Sequence, residues 1–407
     1  MNDLQGKHIT LISLNFYPED TAIGLYSTQL AEYLESQGAL LSVITAFPYY
    51  PKWEIAEAYQ NQGTYLHEKK GTINIYRYKQ FTPKEPTFLK RVIHIADFTI
   101  GSRFNFKQIT ECDIVISVIP FTSSAWLGNT LSQKRNAKHW IHIQDFEFDA
   151  AFQSGLASGN ENTSFAYKTL MKLERSILNK ADCVSTISYT MLAKLKEKTT
   201  SENYYLPNWI DEDESDPLKA EEHSYFSKEK FSILYSGNVG DKQDWQLFTN
   251  VIKALDFNKF EVIVVGAGAK MEVLKENLKD TKVKFYAPVP FIELSSLLAS
   301  ADVHILFQKS EVVDTVMPSK ILGMMASAKP SIITGHPDAE PAKIITDSNG
   351  GIYNSVIDYK LILSQLDTLN LSPDTAMTMG AAARKYVLEK FARKPILEKF
   401  TQTLSRL

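Results

Sequence analysis

Three loops of this chain combine glycine with positive charge in the way an anion site requires. SGNVGDKQ (236–243) places Gly237, Asn238, Gly240 and Lys242 directly before a helical stretch, and GAGAK (266–270) follows an apolar run with Gly266 and Gly268. In VMPSKILGMMASAKP (316–330), Pro318 stands at the first position of a helix predicted over 318–328, with Ser319 and Lys320 in the same turn. Proline costs no hydrogen bond there. Glycine admits close backbone approach, and the free N–H groups of a helix start suit a phosphate. Each loop alone is also what an ordinary α/β domain contains. All three fall at the same edge of one predicted sheet, and that convergence points to a diphosphate cradle.

A second set of groups lies in the first half. QDFEFDAAF (144–152) carries Asp145, Glu147 and Asp149 just after a strand. Carboxylates so placed hold a hydroxyl-bearing substrate or act as a base; solvated loop acids are the plain alternative. AFPYYPKW (46–53) offers Tyr49 and Tyr50 as faces on which a sugar could stack, or packs as a hairpin on its own domain. Gly24 closes the loop 15–24 immediately before a helix predicted over 25–37.

The elements that must position these groups alternate strand and helix. Short apolar runs at 8–14, 40–46, 73–79, 113–119, 138–143 and 182–188 read as buried strands, several separated by helical stretches, which implies a parallel sheet. A second series follows at 231–236, 260–266, 282–287, 302–307 and 330–334, with helices over 243–255, 270–279, 291–300 and 318–328. In open parallel sheets ligands bind beyond the carboxyl ends of the strands. The acidic, aperiodic stretch 208–223 reads as a linker. The expected organisation is α/β, with two Rossmann-like domains at 1–207 and 224–393 facing a cleft, and a C-terminal helix at 394–407 returning to the first domain.

The segment 87–109, TFLKRVIHIADFTIGSRFNFKQI, mixes Lys90, Arg91, Arg103 and Lys107 with aromatic and aliphatic residues. Such a helix can lie on an anionic membrane surface, or can face the core with a solvated basic edge. The 407 residues carry a net charge of −3, which gives no reason to propose a nucleic-acid partner. Two distant cysteines, Cys112 and Cys183, in apolar runs read as free thiols. The N-terminus lacks the features of a signal peptide and no apolar run is long enough to span a bilayer, so a cytoplasmic protein is expected.

Taken together, NFYPEDTAIGLYSTQLAEYL, TAFPYYPKW, HIQDFEFDAAF, ERSILNKADCVSTIS, LPNWID, LYSGNVGDKQ, VVGAGAK and VMPSKILGMMASAKP, in that order from residue 15 to 330, resemble the retaining GT-B glycosyltransferases of family 4. The similarity is greatest to the WcaI-like subgroup of colanic acid and exopolysaccharide biosynthesis, which includes proposed fucosyltransferases. The resemblance implies transfer of a sugar from a GDP- or UDP-sugar to a lipid-linked or oligosaccharide acceptor, without a metal or other cofactor, at the inner face of the membrane. It assigns donor binding to Gly24, Gly237, Asn238, Gly266, Gly268, Pro318 and Ser319, and phosphate neutralisation to Lys242 and Lys320. Asp145 would position the acceptor, beside Tyr49, Tyr50, Glu147 and Asp149. The chain departs from the family where two glutamates are common: Thr315 and Gly323 stand there, Asn238 replaces an arginine and Gln144 a histidine. A ribose-binding carboxylate must then come from Glu340, Glu311 or Asp314. A sugar-nucleotide epimerase and a non-catalytic scaffold of a polysaccharide assembly complex are the rival readings.

Overall fold

The computed structural model describes residues 4–149, 165–227, 229–311 and 320–407. Its strands are β1 (His8–Ile12), β2 (Leu40–Ala46), β3 (Tyr65–Lys70), β4 (Ile73–Tyr78), β5 (Ile114–Ile119), β6 (Lys138–Ile143), β7 (Cys183–Thr186), β8 (Glu202–Tyr205), β9 (Phe231–Ser236), β10 (Phe260–Val265), β11 (Lys284–Tyr286), β12 (Val303–Phe307), β13 (Ser331–Thr334) and β14 (Gly351–Asn354). They form two sheets, ordered β3-β4-β2-β1-β5-β6-β7-β8 and β11-β10-β9-β12-β13-β14. Among the described residues, every strand pairing within these sheets is parallel except β3 with β4.

The central parallel strands are near-continuous buried runs because helices cover both faces. β5, IVISVI, is buried at every position, as is β10, FEVIVV. β3, YLHEKK, instead alternates exposed and half-buried residues at the sheet edge, where charged side chains blunt an open edge. That polarity hid it from the apolar pattern, and β8 and β14 escaped because each has only four residues of mixed composition.

The chain divides into two compact units, Met1–Pro207 with Pro395–Leu407, and Asn208–Lys394. The return of the C-terminus has an apolar cause: Phe400, in the helix Arg393–Leu404, is fully buried and meets the indole of Trp140 edge-on at 5.0 Å. The acidic stretch read as a linker lies within the second unit. Asp211 pairs with Arg393 at 2.7 Å, Asp216 with Arg384 at 3.3 Å, and Ile210 bridges to Ala392. These partners are distant in sequence, so the stretch has no local period. Both cysteines are free thiols. Among the described residues, no helix is long and apolar enough to cross a membrane.

Candidate functional site

In the second unit the strand order reverses between β9 and β12, the point where open sheets leave a crevice beyond their carboxyl ends. The loop after β9 begins there. Tyr235, the penultimate residue of β9, is buried, with Trp245 at 5.0 Å and Phe248 at 6.1 Å packed edge-on against its ring. Its hydroxyl donates to the Asn238 carbonyl at 2.7 Å and accepts from Lys320 Nζ at 3.0 Å. The same ammonium lies 4.5 Å from the centre of the ring. Lys320 is the first described residue of the helix Lys320–Ala326, which ends two residues short of the 328 expected, in a turn at 327–328. It has no carboxylate partner among the described residues, and burial lowers its pKa to about 8. A cation held this way, on a phenol and a π face, is poised for an anion supplied from outside.

The two glycine loops clasp one another beside it. Gly237 donates to Val265 O at 2.9 Å, Val239 to Ala267 O at 2.9 Å, and Lys270 returns to Val239 O at 3.0 Å. Gly237 has φ +130°, which favours glycine, and a Cβ on it would stand 3.0 Å from Lys320 Nζ. A side chain on Gly266 would overlap the Gly237 carbonyl, and one on Gly268 would overlap that of Val239. The smallness of Gly266 and Gly268 thus serves loop-on-loop contact. Asn238 is exposed on the first of these loops, its amide 2.8 Å from where a Cβ on Gly240 would be.

Lys242 is exposed, on a loop tied to β12 through Lys309 N to Lys242 O at 3.1 Å and Asp244 N to Phe307 O at 2.9 Å. Glu340 is buried at the first turn of the helix Glu340–Ser348, and Glu311 is exposed. Pro318, Ser319, Asp314 and Thr315 lie outside the described residues.

In the first unit, the loop after β1 is organised by Glu19, which sequence reasoning passed over. Its carboxylate is buried; Oε1 accepts from the backbone N–H of Tyr49 and of Tyr50, both at 2.7 Å, and Oε2 from Asn15 Nδ2 at 2.8 Å. Burial raises its pKa, and the hydrogen bonds only partly offset that. One side chain therefore ties loop 15–24 to loop 46–53. Gly24 is buried in the helix Ala22–Ser36, and a Cβ there would stand 2.7 Å from Glu19 O, so the close approach it permits is to the Glu19 backbone. Tyr49 is buried, ringed by Trp53 at 5.4 Å and His94 at 4.8 Å, whereas Tyr50 is 40% exposed and open to a ligand.

The three carboxylates after β6 have separate surroundings. Asp145 is half-buried at the strand end. Glu147 Oε2 accepts from Thr122 N at 2.7 Å, at the start of the helix Thr122–Arg135. Burial pushes Glu147 up to about 7, the Thr122 hydrogen bonds oppose this, and Glu174 and Asp145 add to it. Asp149 is buried between Lys194 (2.6 Å) and Lys198 (2.7 Å), and Lys198 also holds Glu174. Burial alone would raise the Asp149 pKa, but the two ammonium groups outweigh it and hold it low. Its two oxygens face lysines of the helix Tyr189–Lys198, an ion cluster that secures that helix. Gln144 Nε2 donates to His142 Nε2 at 2.8 Å, and His142 contacts Ser185 Oγ at 2.9 Å. Burial lowers His142 to about 3, so it is neutral.

Neither Tyr235 nor Glu19 had a local signal. Tyr235 reads as one more apolar strand residue, and Glu19 as a solvated acid in YPED. Only the tertiary contacts reveal them.

Comparison with known proteins identifies the fold and the family. Residues 230–363 match the family model for glycosyl transferases group 1. WcaI of Escherichia coli (strain K12), a glycosyl transferase named for colanic acid biosynthesis, is 33% identical over 350 residues, covering 82% of this chain and 84% of its own. Among solved structures, sucrose-phosphate synthase from Thermosynechococcus elongatus superposes with a TM-score of 0.78 at 16% identity, over 98% of each chain. HepE of Anabaena, solved in complex with UDP-glucose, superposes at 0.68 and 12% identity, over 98% of this chain and 100% of its own. The two sheets of mostly parallel strands are those of the GT-B fold, and the chain belongs to the family 4 glycosyltransferases near WcaI.

Proposed function

We propose that this glycosyltransferase moves a sugar from a GDP- or UDP-sugar to a lipid-linked or oligosaccharide acceptor in exopolysaccharide synthesis of the colanic acid type, with retention at the anomeric carbon. The observation that carries the reading is Lys320: a cation without a carboxylate partner among the described residues, fixed by Tyr235 beside two clasped glycine loops at the switch point of the second sheet. The relative named for colanic acid biosynthesis and the UDP-glucose complex of HepE support the acceptor pathway and the donor class.

In this reading the acceptor oxygen bonds to the anomeric carbon on the face from which the leaving group departs. The bond from that carbon to the β-phosphate oxygen breaks, and the acceptor proton passes to the departing phosphate. Charge developing on the nucleoside diphosphate is met by Lys320 and Lys242, so the reaction runs without a metal cofactor. Asp145 positions the acceptor, Tyr50 offers its exposed ring to the acceptor sugar, and Glu340 is the candidate ribose ligand. The protein works in the cytoplasm, where nucleotide sugars are made.

The test is acceptor-dependent transfer with a panel of GDP- and UDP-sugars in the presence of EDTA. Lys320→Ala and Lys242→Ala are expected to reduce turnover by at least about a hundredfold, the scale of losing one positioned charge at a developing anion. The anomeric configuration of the product, read by NMR, should match that of the donor. Full activity in both variants would remove the assignment, and an inverted product would remove retention.

A further inference from the structure

The helix Phe88–Ser102 buries one face and leaves the other, which is apolar, in solvent. His94, Phe98, Gly101 and Ser102 point inward, where Gly101 allows the helix to close on the ring of Tyr78. Outward stand Phe88, Leu89, Val92, Ile93, Ile100 and, one turn further on, Phe104, between 45% and 67% exposed. Spacings of three, four and seven residues place them along one side of the helix. A stripe of this kind on a helix that already has a packed face marks an interaction surface.

Charge identifies what covers it. Lys84, Lys90, Arg91, Arg103 and Lys107 fall in the same segment, against Glu85 and Asp97. Asp97 is turned inward, accepting from the Tyr78 hydroxyl at 2.9 Å and from Phe81 N at 2.6 Å. The five cations form no ion pair with a carboxylate among the described residues, and two rest on indoles: Arg91 lies 5.4 Å from the Trp53 ring and Arg103 5.9 Å from that of Trp126, itself 39% exposed. Apolar side chains flanked by unpaired cations and partly exposed indole suit the headgroup region of an anionic bilayer, where apolar residues enter the acyl boundary and cations meet phosphate.

We propose that this face docks the protein on an anionic lipid surface, with the helix lying in the plane of the interface. The proposal deepens the reading of a lipid-linked acceptor, because it would hold the enzyme at the surface where such an acceptor resides. It is testable without any transfer reaction, so its failure leaves the transfer reading to its own assay.

The full-length protein is floated with phosphatidylcholine vesicles, with and without phosphatidylglycerol. Wild type should float only with the anionic vesicles, and added salt should release it. Arg103→Glu with Lys107→Glu should lower partitioning by more than about twentyfold, since each basic side chain near such a surface contributes about a fivefold effect. Leu89→Glu with Ile93→Glu should abolish flotation, while melting temperature and nucleotide binding stay at the wild-type values. Absence of wild-type flotation, or wild-type flotation of both variants, would overturn the proposal. So would sedimentation showing that the same substitutions split a dimer that never binds vesicles, which would make this face a contact between copies.

Discussion

Replacing Lys320 by methionine should move folding and binding in opposite directions. Burial lowers the ammonium from 10.5 to about 8, and each unit is about 1.4 kcal/mol, so the folded protein carries about 3 kcal/mol of desolvation cost. Lys320 keeps some solvent contact, and discounting for it leaves about 2 kcal/mol. The unfolded chain holds this proton more tightly than the folded one. The cost is therefore full below about pH 8, shrinks as pH rises and disappears near pH 10.5, the unfolded value. Methionine retains an unbranched stem without charge, so the variant should gain about 2 kcal/mol at pH 7, roughly 4–8 °C in melting temperature for a unit of this size. The gap should close toward pH 10.5. A bound diphosphate reverses the balance, because the variant loses a charge-assisted hydrogen bond of about 1.5–3 kcal/mol. Nucleotide affinity should fall by about 10- to 100-fold. Calorimetric melting across pH, with titration of GDP and UDP, reads both effects. A variant that is less stable and binds nucleotide as wild type would refute the reasoning.

Other consequences follow from the first unit. Glu147 is raised from 4.5 to about 7, so its contribution to stability is full below about pH 4.5 and is lost as pH rises through about 7. Glu147→Gln, whose amide oxygen still accepts from Thr122, should remove about 1–2 kcal/mol of that slope in urea unfolding at a series of pH values; an unchanged slope would place the titration elsewhere. Glu19→Ala leaves the Tyr49 and Tyr50 N–H groups without their acceptor and should cost about 2–4 kcal/mol by the same assay. Asp149→Asn leaves Lys194 and Lys198 facing a neutral amide. It should destabilise by about 3 kcal/mol, and loss of activity with wild-type stability would instead support the acceptor role expected of Asp149.

The fold was legible because its strands are apolar runs in a parallel order. β2, β6 and β9 begin and end where pattern reading places them, whereas β3 is polar at an edge and needed its partner β4 to be seen. Of the candidate site, the grouping was legible: Lys320 and the glycine loops that the sequence singles out lie side by side in the structure. What the sequence hid was the reason for each residue. Gly266 and Gly24 are small because backbone carbonyls of Gly237 and Glu19 occupy the space. Glu147 and Asp149 are spent on a helix start and on two lysines. A side chain's partner across the fold decides its role, and no local spacing encodes that partner.

The central claim is tested most directly by incubating the protein with radiolabelled GDP- and UDP-sugars and a lipid-linked saccharide extract. At least one donor should yield labelled saccharide together with one equivalent of nucleoside diphosphate, and Lys320→Ala should lose that product. Donor that is left intact in every case, or epimerised without acceptor, would contradict the account.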